Sequence, residues 1–378
     1  MVESLKEMYF TESEIEKYTI RKGDLLVCEG GDIGRAAIWT FDYDMRIQNH
    51  IHKLRVYYPI ETKLYYYTFY YYKLIGKISG NGIGIQGLSS NALHNLIVPL
   101  PPIQEQTRIT AAVNKCFLTA DIIDENEKIL QTDIEELKTK ILELAIQGKL
   151  VPQDENDEPA SVLLERIRAE RKTKLGKKYV ESYIYKGDDN CYYEKIGSTT
   201  KNITDEIPFD IPRGWALCNL TNVSDIVMGS SPDGMSIMSY GNGMEFHQGK
   251  IHFGEKYIGI SDRSTTNPIK VAQENSILLC VRAPVGEVNI TSRKICIGRG
   301  LAAIHPYQLI PCEFLFYWMQ TYKDYLNSQA TGSTFAAITA DTVKNIIIPL
   351  PPIAEQRRIV DTIEKLYAYI DLIEKGLS

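Results

Sequence analysis

The 378-residue chain lacks the features of a membrane or secreted protein. It has no run of about 18 consecutive apolar residues, which a transmembrane helix would need. Its first residues, MVESLKEMYF, do not show the basic and then apolar pattern of a signal peptide. The seven cysteines are odd in number and include no CxxC pair. We therefore expect reduced thiols in a cytoplasmic protein that does not contact membranes.

Signatures of catalysis and metal binding are also missing. The six histidines form no HExxH motif, and His50 and His52 have no acidic or thiol partner at ligand spacing. Gly249-Lys250 resembles the end of a phosphate-binding loop, but Ile251 replaces the required Ser or Thr. A hidden nuclease or methyltransferase would need an acidic cluster or an Asn-Pro-Pro-aromatic motif, and neither is found. We expect no catalytic residue, no metal and no cofactor in this chain.

What the sequence does contain is an internal repeat. Residues 95–109 read NLIVPLPPIQEQTRI, and residues 345–359 read NIIIPLPPIAEQRRI. Each copy predicts an apolar, strand-like run, then two prolines, then a helix. Pro102 and Pro352 suit the first helical position, where the missing N–H is not needed. Further upstream, residues 24–28 align with residues 276–280, so the repeat includes whole globular units.

Beyond both joints, apolar residues recur in the sevenfold pattern that is typical of coiled coils. The predicted seam positions are Val113, Ile123, Leu130, Leu137, Leu144, Ile363, Leu366, Ile370 and Ile373. At about 1.5 Å per residue, a helix from Pro102 to Gln147 would be about 69 Å long. Such a length predicts a spacer between domains, because ordinary packing helices average about 11–12 residues.

These patterns predict an α+β fold. Two duplicated globular α/β domains would be separated by long helices that pair as an antiparallel coiled coil with pseudo-two-fold symmetry. The predicted segments are a first domain at 1–101, a first long helical region at 102–175, a polar linker at 176–207, a second domain at 208–351 and a shorter second helix at 352–378.

The two Pro-Leu-Pro-Pro-Ile-x-Glu-Gln joints and residues 145–168, AIQGKLVPQDENDEPASVLLERIR, resemble the specificity (S) subunit of type I restriction–modification systems. The resemblance covers nearly the whole chain. It implies two target-recognition domains, each of which reads one half of a bipartite double-stranded DNA site, and helices that set the spacing between the halves. One departure is that Met1 already falls inside the first copy. The counterpart of residues 208–250 is therefore missing from this sequence, and we expect an N-terminally incomplete first domain.

The resemblance also implies which partners the chain has. Two methyltransferase (M) subunits would dock on the helices and carry the S-adenosylmethionine site. Restriction (R) subunits, which use ATP and Mg, are optional further partners. The S subunit itself catalyses nothing and holds no cofactor.

Residues 1–94 and 208–344 each hold eleven basic and eleven acidic residues, so the domains are neutral. Much of the electrostatic affinity for DNA would then come from the partners. Arg299, in the triplet Gly298-Arg299-Gly300, is the best candidate for reading guanine, whereas the aligned triplet Gln48-Asn49-His50 suits adenine. The full set of predicted DNA-contacting residues is Arg282, Arg293, Lys294, Arg299, Ser333, Thr334, Gln48, Asn49, His50, Asn81 and Gln86.

Three alternatives remain open at this point. The residues of this set could be ordinary solvated loop residues. The chain could belong to a related system in which modification and cleavage share one polypeptide. It could also be a duplicated adaptor scaffold that binds protein and does not depend on DNA.

Overall fold

The structure is a computed structural model. It describes residues 8–48, 50–78, 87–207, 209–239, 241–307, 309–331 and 336–376. The chain divides into two compact units, Met1–Lys128 and Ile129–Ser378. Over the described ranges, no helix is both long enough and apolar enough to cross a membrane.

The first unit contains two small sheets beside a tyrosine-rich helix. Its helices are α1 (Glu12–Tyr18), α2 (Thr62–Leu74), α3 (Ser90–His94) and the start of α4 (Ile103–Ile146). Its strands are β1 (Thr19–Ile20), β2 (Leu25–Cys28), β3 (Ala36–Ile38), β4 (Met45–Arg46) and β5 (Ile51–Leu54). The sheet orders are β1-β4 and β3-β2-β5. The core residues that are fully or nearly buried are Leu25, Val27, Phe69, Ile78 and Leu88.

The second unit is larger and includes the rest of α4. Its further helices are α5 (Ala160–Leu175), α6 (Leu220–Val223), α7 (Cys312–Thr321), α8 (Lys323–Gln329), α9 (Ala340–Lys344) and α10 (Ile353–Lys375). Its strands are β6 (Ser182–Lys186), β7 (Tyr192–Ile196), β8 (Thr199–Asn202), β9 (Ala216–Asn219), β10 (Ser224–Met228), β11 (Ile237–Ser239), β12 (Met244–His247), β13 (Arg263–Thr265), β14 (Val271–Ala272), β15 (Ser276–Cys280), β16 (Val288–Thr291), β17 (Ile295–Ile297), β18 (Leu301–Pro306) and β19 (Ile347–Leu350).

Four sheets organise these strands. Their orders are β10-β18-β15-β16, β11-β13-β12-β17-β14, β19-β9 and β6-β7-β8. The main core forms where α7 packs beside β15, β16 and β18.

The duplication read from the sequence is preserved in the strand pairing. In the first unit Leu25 lies opposite Ile38 and Leu54, and in the second Ile277 lies opposite Ile290 and Ile304. The smaller sheets correspond in the same way, because β1 pairs with β4 as β14 pairs with β17. The second unit adds strands β9 to β13, which have no counterpart among the described strands of the first unit.

The region expected to be a polar linker, 176–207, is instead largely folded. Strands β6, β7 and β8 form an antiparallel three-stranded sheet with tight turns at Gly187 and Gly197. Asn219, at the end of β9, donates a hydrogen bond to Glu194 of this sheet. The prediction differed because the sheet is small and many of its side chains are exposed and polar, whereas its tyrosines favour strands.

In the second unit, the C-terminal part of α4 runs antiparallel to α10. The Tyr367 hydroxyl donates a hydrogen bond to the Lys138 carbonyl oxygen at 3.3 Å, and Lys138 Nζ lies 3.3 Å from Asp371 Oδ1. Fifteen residues after Lys138, Gln153 donates a hydrogen bond to Glu355, near the start of α10. Later residues of the first helical region therefore meet earlier residues of α10.

The structure buries only some of the predicted seam positions. Ile363 and Ile370 are buried in one core cluster with Ile134 and Ile141. Val113, Leu130, Leu144 and Leu366 are half-buried, whereas Ile123, Leu137 and Ile373 are 59%, 48% and 53% exposed. Off the heptad positions, Leu142 and Ala145 are buried. This part of α4 borders both α10 and the second domain, so its buried face is wider than a heptad seam.

Candidate nucleic-acid interface

In the second unit, Arg299 lies at the tip of a short loop between β17 and β18 that the backbone holds in place. Gly298 N donates to the His247 carbonyl at 2.7 Å, and Val281 N donates to the Gly300 carbonyl at 2.9 Å. A third hydrogen bond, from Leu301 N to the Gly298 carbonyl at 3.0 Å, closes the turn. The loop is thus fixed at both ends, and the exposed Arg299 side chain projects from a rigid base.

The two glycines beside Arg299 are required by close packing. A Cβ atom at Gly298 would lie 3.1 Å from Phe246 and 3.2 Å from the Cα of Gln248. At Gly300 it would lie 2.2 Å from the Gln248 carbonyl oxygen, which is closer than real Cβ contacts allow. The triplet therefore presents a single side chain, that of Arg299.

Arg282 reaches the same edge from the end of β15. It forms an isolated β-bridge with Ala337, and Ala283 N donates to the Ala336 carbonyl at 3.2 Å. Thr331 also pairs with Ala337, so both ends of the segment that contains Ser333 and Thr334 lie beside Arg282. Ser333 and Thr334 themselves lie outside the described residues.

Arg282 and Arg299 line one cavity of about 230 Å³, together with Gln248, Lys250 and Cys280. Burial raises the pKa of the Cys280 thiol to about 12, so the thiol is neutral at physiological pH. Lys250 is partly neutralised by Glu287, whose Oε1 lies 3.4 Å away. Neither arginine has a salt-bridge partner within the described part of the chain. The cavity thus has a neutral floor and a positively charged rim.

Arg293, which the sequence predicts to contact DNA, is paired with a glutamate within the second unit. Its Nε and Nη2 atoms donate to the two carboxylate oxygens of Glu245 at 2.7 and 2.6 Å. Burial opposes ionisation of Glu245, but the hydrogen bonds from Arg293, Ser261 N and His247 outweigh it and lower the pKa of Glu245 to about 2. This bidentate pair occupies the guanidinium fork, so the geometry favours a structural role for Arg293 over the predicted DNA contact.

Lys294 is exposed, but it lies at the start of β17, whereas Arg299 follows the end of that strand. The structure therefore brings Arg282 and Arg299 together and leaves Lys294 at the other end. Gln248 and Lys250 were not predicted as part of the interface. No signal could have found them, because β12 and the residues after it have no counterpart in the first copy.

In the first unit, the equivalent loop carries different side chains. Glu29 N donates to the His50 carbonyl at 2.8 Å, which matches the bond from Val281 to Gly300. Gln48 and His50 are exposed, and the Gln48 side chain contacts Met8 Sδ. His50 has a φ of 81°, whereas Gly300 has no positive φ. Asn49, Asn81 and Gln86 lie outside the described residues.

The Nε2 atom of His52 lies 2.6 Å from the Leu88 carbonyl oxygen, so this atom is engaged with the backbone. No three His, Cys, Asp or Glu residues group closely enough to hold a metal ion in the described ranges.

A second arrangement joins the domain to α10 in the second unit. Glu355 is 1% exposed and accepts hydrogen bonds from Trp215 Nε1 at 3.0 Å and from Gln153 Nε2 at 2.6 Å. One turn later, Arg358 pairs with Asp157 at 2.6 Å. In the second unit, the joint motif therefore fixes α10 to its domain through a buried carboxylate.

Comparisons with known proteins agree with this duplicated architecture. A family model described as the type I restriction modification DNA specificity domain matches residues 4–132 and 212–378. Since these two matches cover most of the chain, the protein belongs to that family. Residues 133–211, which include α5 and the β6-β7-β8 sheet, lie outside the matched ranges.

Relatives extend over nearly the whole chain. It is 28% identical over 376 residues to the putative type I restriction enzyme MjaX specificity subunit of Methanocaldococcus jannaschii, covering 96% of this chain and 75% of that protein. It is 30% identical over 270 residues to the EcoEI specificity subunit of Escherichia coli, covering 66% of this chain and 42% of that protein.

Two solved structures share the fold. The HsdS subunit from Thermoanaerobacter tengcongensis is 24% identical with a TM-score of 0.59, over 95% of this chain and 77% of that one. A chain from a structural study of the assembly and conformational transition of the type I restriction–modification system is 25% identical, with a TM-score of 0.64 over the same shares.

Proposed function

We propose that this protein is the DNA specificity subunit of a type I restriction–modification complex, and that its second domain reads one half-site through Arg282 and Arg299. One observation carries the proposal at the residue level. The two domains have the same strand register and the same anchored loop, yet they expose different side chains there. Such an arrangement suits two readers that recognise different sequences on one scaffold.

The chemistry of the second edge suits guanine. A guanidinium can donate two parallel hydrogen bonds to the O6 and N7 atoms of guanine in the major groove. Arg282 and Arg299 have no carboxylate partner among the described residues, so their donors are available to a ligand. The backbone anchors of the Arg299 loop reduce the entropy lost on binding. In the first domain, Gln48, Asn49 and His50 carry side chains with both donors and acceptors, and Asn and Gln suit adenine.

Membership of the family supports a set of partner subunits. Two methyltransferase subunits would dock on the helical regions and supply catalysis and S-adenosylmethionine, with restriction subunits joining as optional components. Exposed apolar side chains support a docking role for the helices. They include Leu118 and Ile122 on α4 and Tyr369 and Leu372 on α10.

The test is to co-express the chain with the methyltransferase encoded beside it and to map methylated adenines across the host genome. The parent should give a bipartite motif. Arg299→Ala should relax one base pair of the half-site read by the second domain, a loss of about 1–3 kcal/mol of discrimination. Arg282→Ala should affect the same half-site.

Lys294→Ala is the matched control. It removes one exposed positive charge at the opposite end of β17, so it should weaken methylation evenly and leave the motif unchanged. An unaltered motif in Arg299→Ala would remove that residue from the reading surface. A parent complex that methylates nothing and binds its partners without DNA would favour the adaptor alternative.

A further inference from the structure

We propose that a cavity in the second unit binds one phosphate-sized oxyanion, either free phosphate or the phosphate of a small phosphorylated ligand. The cavity lies between α5, strand β6 and strand β9, and its basic side chains are Arg168 and Arg171 on α5. Helix α5 and strand β6 belong to the part of the chain that the family model leaves unmatched. The inference goes beyond the proposed DNA-reading function and does not depend on it.

Both arginines stack on aromatic rings. The guanidinium carbon of Arg168 lies 5.1 Å from the centre of the Tyr183 ring, and that of Arg171 lies 5.9 Å from the centre of the Tyr307 ring. Stacking uses the face of a guanidinium and leaves the N–H groups at its edge able to donate. Neither arginine has an ion-pair partner within the described part of the chain. Their donors are therefore available to a ligand.

The two arginines are also placed unfavourably for a cavity without an anion. They are three residues apart on α5, so they share one face of the helix, and like charges at such spacing repel. Arg171 Nε is buried and has no hydrogen-bond partner among the described residues. A buried donor without an acceptor is costly, which is why native structures rarely leave one. An oxyanion in the cavity would offset the repulsion and supply acceptors to the pair.

The size and lining of the cavity suit a small oxyanion. Its volume is about 100 Å³, which holds several water molecules, since one needs about 10–15 Å³. Further polar residues that line it are Ser161, Tyr179, Ser182 and Asn222. Asn222 is 8% exposed, and its Nδ2 donates to the Ser182 carbonyl at 3.4 Å, which leaves a second N–H to donate. A larger ligand would place only its phosphate group inside.

One acidic side chain, Glu165, lines the cavity as well. The ionised side chains of the lining therefore carry two positive charges against one negative charge. Glu165 is exposed, whereas both arginines are half-buried. Because water and salt screen an exposed charge more strongly, the arginines should dominate the field inside the cavity. Removing the Glu165 charge should make the cavity a better anion site.

The cavity lies away from the candidate reading edge of the second domain. Tyr307, the ring beneath Arg171, follows the end of β18, whereas Arg299 precedes its start. Near the C-terminal end of α5, Lys174 Nζ lies 3.7 Å from Asp225 Oδ2, on the strand that pairs with β18. Strand β18 is about 17 Å long at about 3.4 Å per residue. This separation favours a small ligand over a phosphate of the DNA that Arg299 would read.

The experiment titrates the full chain with inorganic phosphate by calorimetry, in a buffer without other oxyanions and at constant ionic strength. Saturable binding of one phosphate per chain is expected, and chloride at the same ionic strength should give none. Hydrogen exchange should slow at residues 168–175 and 179–184 when phosphate is added. Adenosine monophosphate should compete with phosphate. Equal affinities would indicate a site for the free ion, and tighter binding of the nucleotide would indicate a phosphorylated ligand.

Arg168→Gln and Arg171→Gln should each weaken phosphate binding at least about tenfold, because each removes a charge-assisted donor. Arg166→Gln is the matched control. It makes the same charge change on the same helix, but Arg166 is exposed, pairs with Glu158 at 2.6 Å and does not line the cavity, so the affinity should stay the same. Glu165→Gln should strengthen binding, and this readout remains if the cavity arginines prove necessary for folding.

Three results would overturn the proposal. The first is no saturable binding of phosphate. The second is equal weakening by Arg166→Gln and by the two cavity variants, which would indicate a general effect of charge. The third is displacement of phosphate by a short DNA duplex of arbitrary sequence, which would assign the cavity to the DNA backbone. None of these readouts uses the methylation motif, so failure here leaves the DNA-reading function standing.

Discussion

The two joints between domain and helix differ more in their surroundings than in their sequences. Both carry a glutamine whose Nε2 donates to a proline carbonyl, Gln106 to Pro101 at 2.8 Å and Gln356 to Pro351 at 2.9 Å. In the first joint, Glu61 N donates to Gln106 Oε1 at 3.0 Å. In the second, the residue that matches Glu61 is Pro311, which has no N–H.

Gln356 Oε1 accordingly has no partner among the described residues. For the glutamates, it is the second joint that has the hydrogen-bond partners. Glu355 is buried and accepts two hydrogen bonds, whereas Glu105 is exposed. A repeated motif therefore specifies the local geometry of a helix start, and the elements packed around it decide how much each residue stabilises. The comparison predicts that matched substitutions in the two joints will have unequal effects.

The largest difference in stability effect between the two joints is expected for the leucine of the repeated Pro-Leu-Pro-Pro motif. Leu350→Ala should destabilise the second unit by about 2–5 kcal/mol, because it leaves a cavity in a packed core. Leu100→Ala should change the stability of the first unit by no more than about 0.5 kcal/mol, since that side chain is largely exposed. Native-state hydrogen exchange in urea measures each unit separately. Equal effects would show that the first joint is covered in solution.

The sequence predicted the structure well where both copies of the repeat contain the same segment. The repeat predicted helix starts at Pro102 and Pro352, one residue before those of the structure at Ile103 and Ile353, and it predicted the matching of β2 with β15. It was uninformative where only one copy exists. The partner of Arg293 is Glu245, on strand β12, which has no counterpart in the first copy, and no periodicity connects the two residues. The small β6-β7-β8 sheet also has no counterpart in the first copy, and its many exposed polar side chains made it look like a linker.

The heptad pattern shows a second limit. It predicted that helices pair, and they do in the second unit. It could not predict that α4 also borders the domain, which buries Leu142 and leaves Leu137 exposed. Sequence periodicity predicts the buried face of a helix that packs against one partner. A helix that packs against two partners buries residues that no single period describes.

An effect of intermediate size is expected in the way the stability of the second unit depends on pH. Burial raises the pKa of Glu355 above the ordinary value of a glutamate, against the hydrogen bonds from Trp215 and Gln153 that lower it. Between the unfolded and the raised folded pKa, the folded state binds more protons. The stability of the second unit should therefore fall as pH rises through that interval, by about 1.4 kcal/mol for each unit of pKa difference.

Glu355→Gln should remove this fall, since the amide does not titrate in the range. Urea unfolding of the second unit from pH 4 upward, roughly the range where a raised carboxyl titrates, measures it. The matched control, Glu105→Gln, changes an exposed carboxylate and should leave the pH profile of the second unit unaltered. A parent whose second unit gains stability over the same interval would mean that the hydrogen bonds outweigh burial at Glu355.

The smallest effect concerns the loop of the first unit that carries His50. His50 has a φ of 81°, which costs a residue with a Cβ atom about 1–2 kcal/mol. His50→Gly removes that cost but adds about 0.5–1 kcal/mol of backbone entropy lost on folding. The first unit should therefore gain between about 0 and 1.5 kcal/mol. Asn275→Gly, at a φ of 58° in the second unit, should gain less, because asparagine tolerates this conformation better.

If His50 is a reading residue, this gain in stability should come with a loss of recognition. The methylation motif of the His50→Gly complex should relax in the half-site read by the first domain, while the half-site read through Arg299 stays the same. A strained residue that is retained at an exposed loop is expected to serve binding, since a purely structural position would favour glycine. A more stable first unit with an unaltered motif would remove His50 from the interface. A less stable one would mean that its imidazole makes a stabilising contact that outweighs the strain.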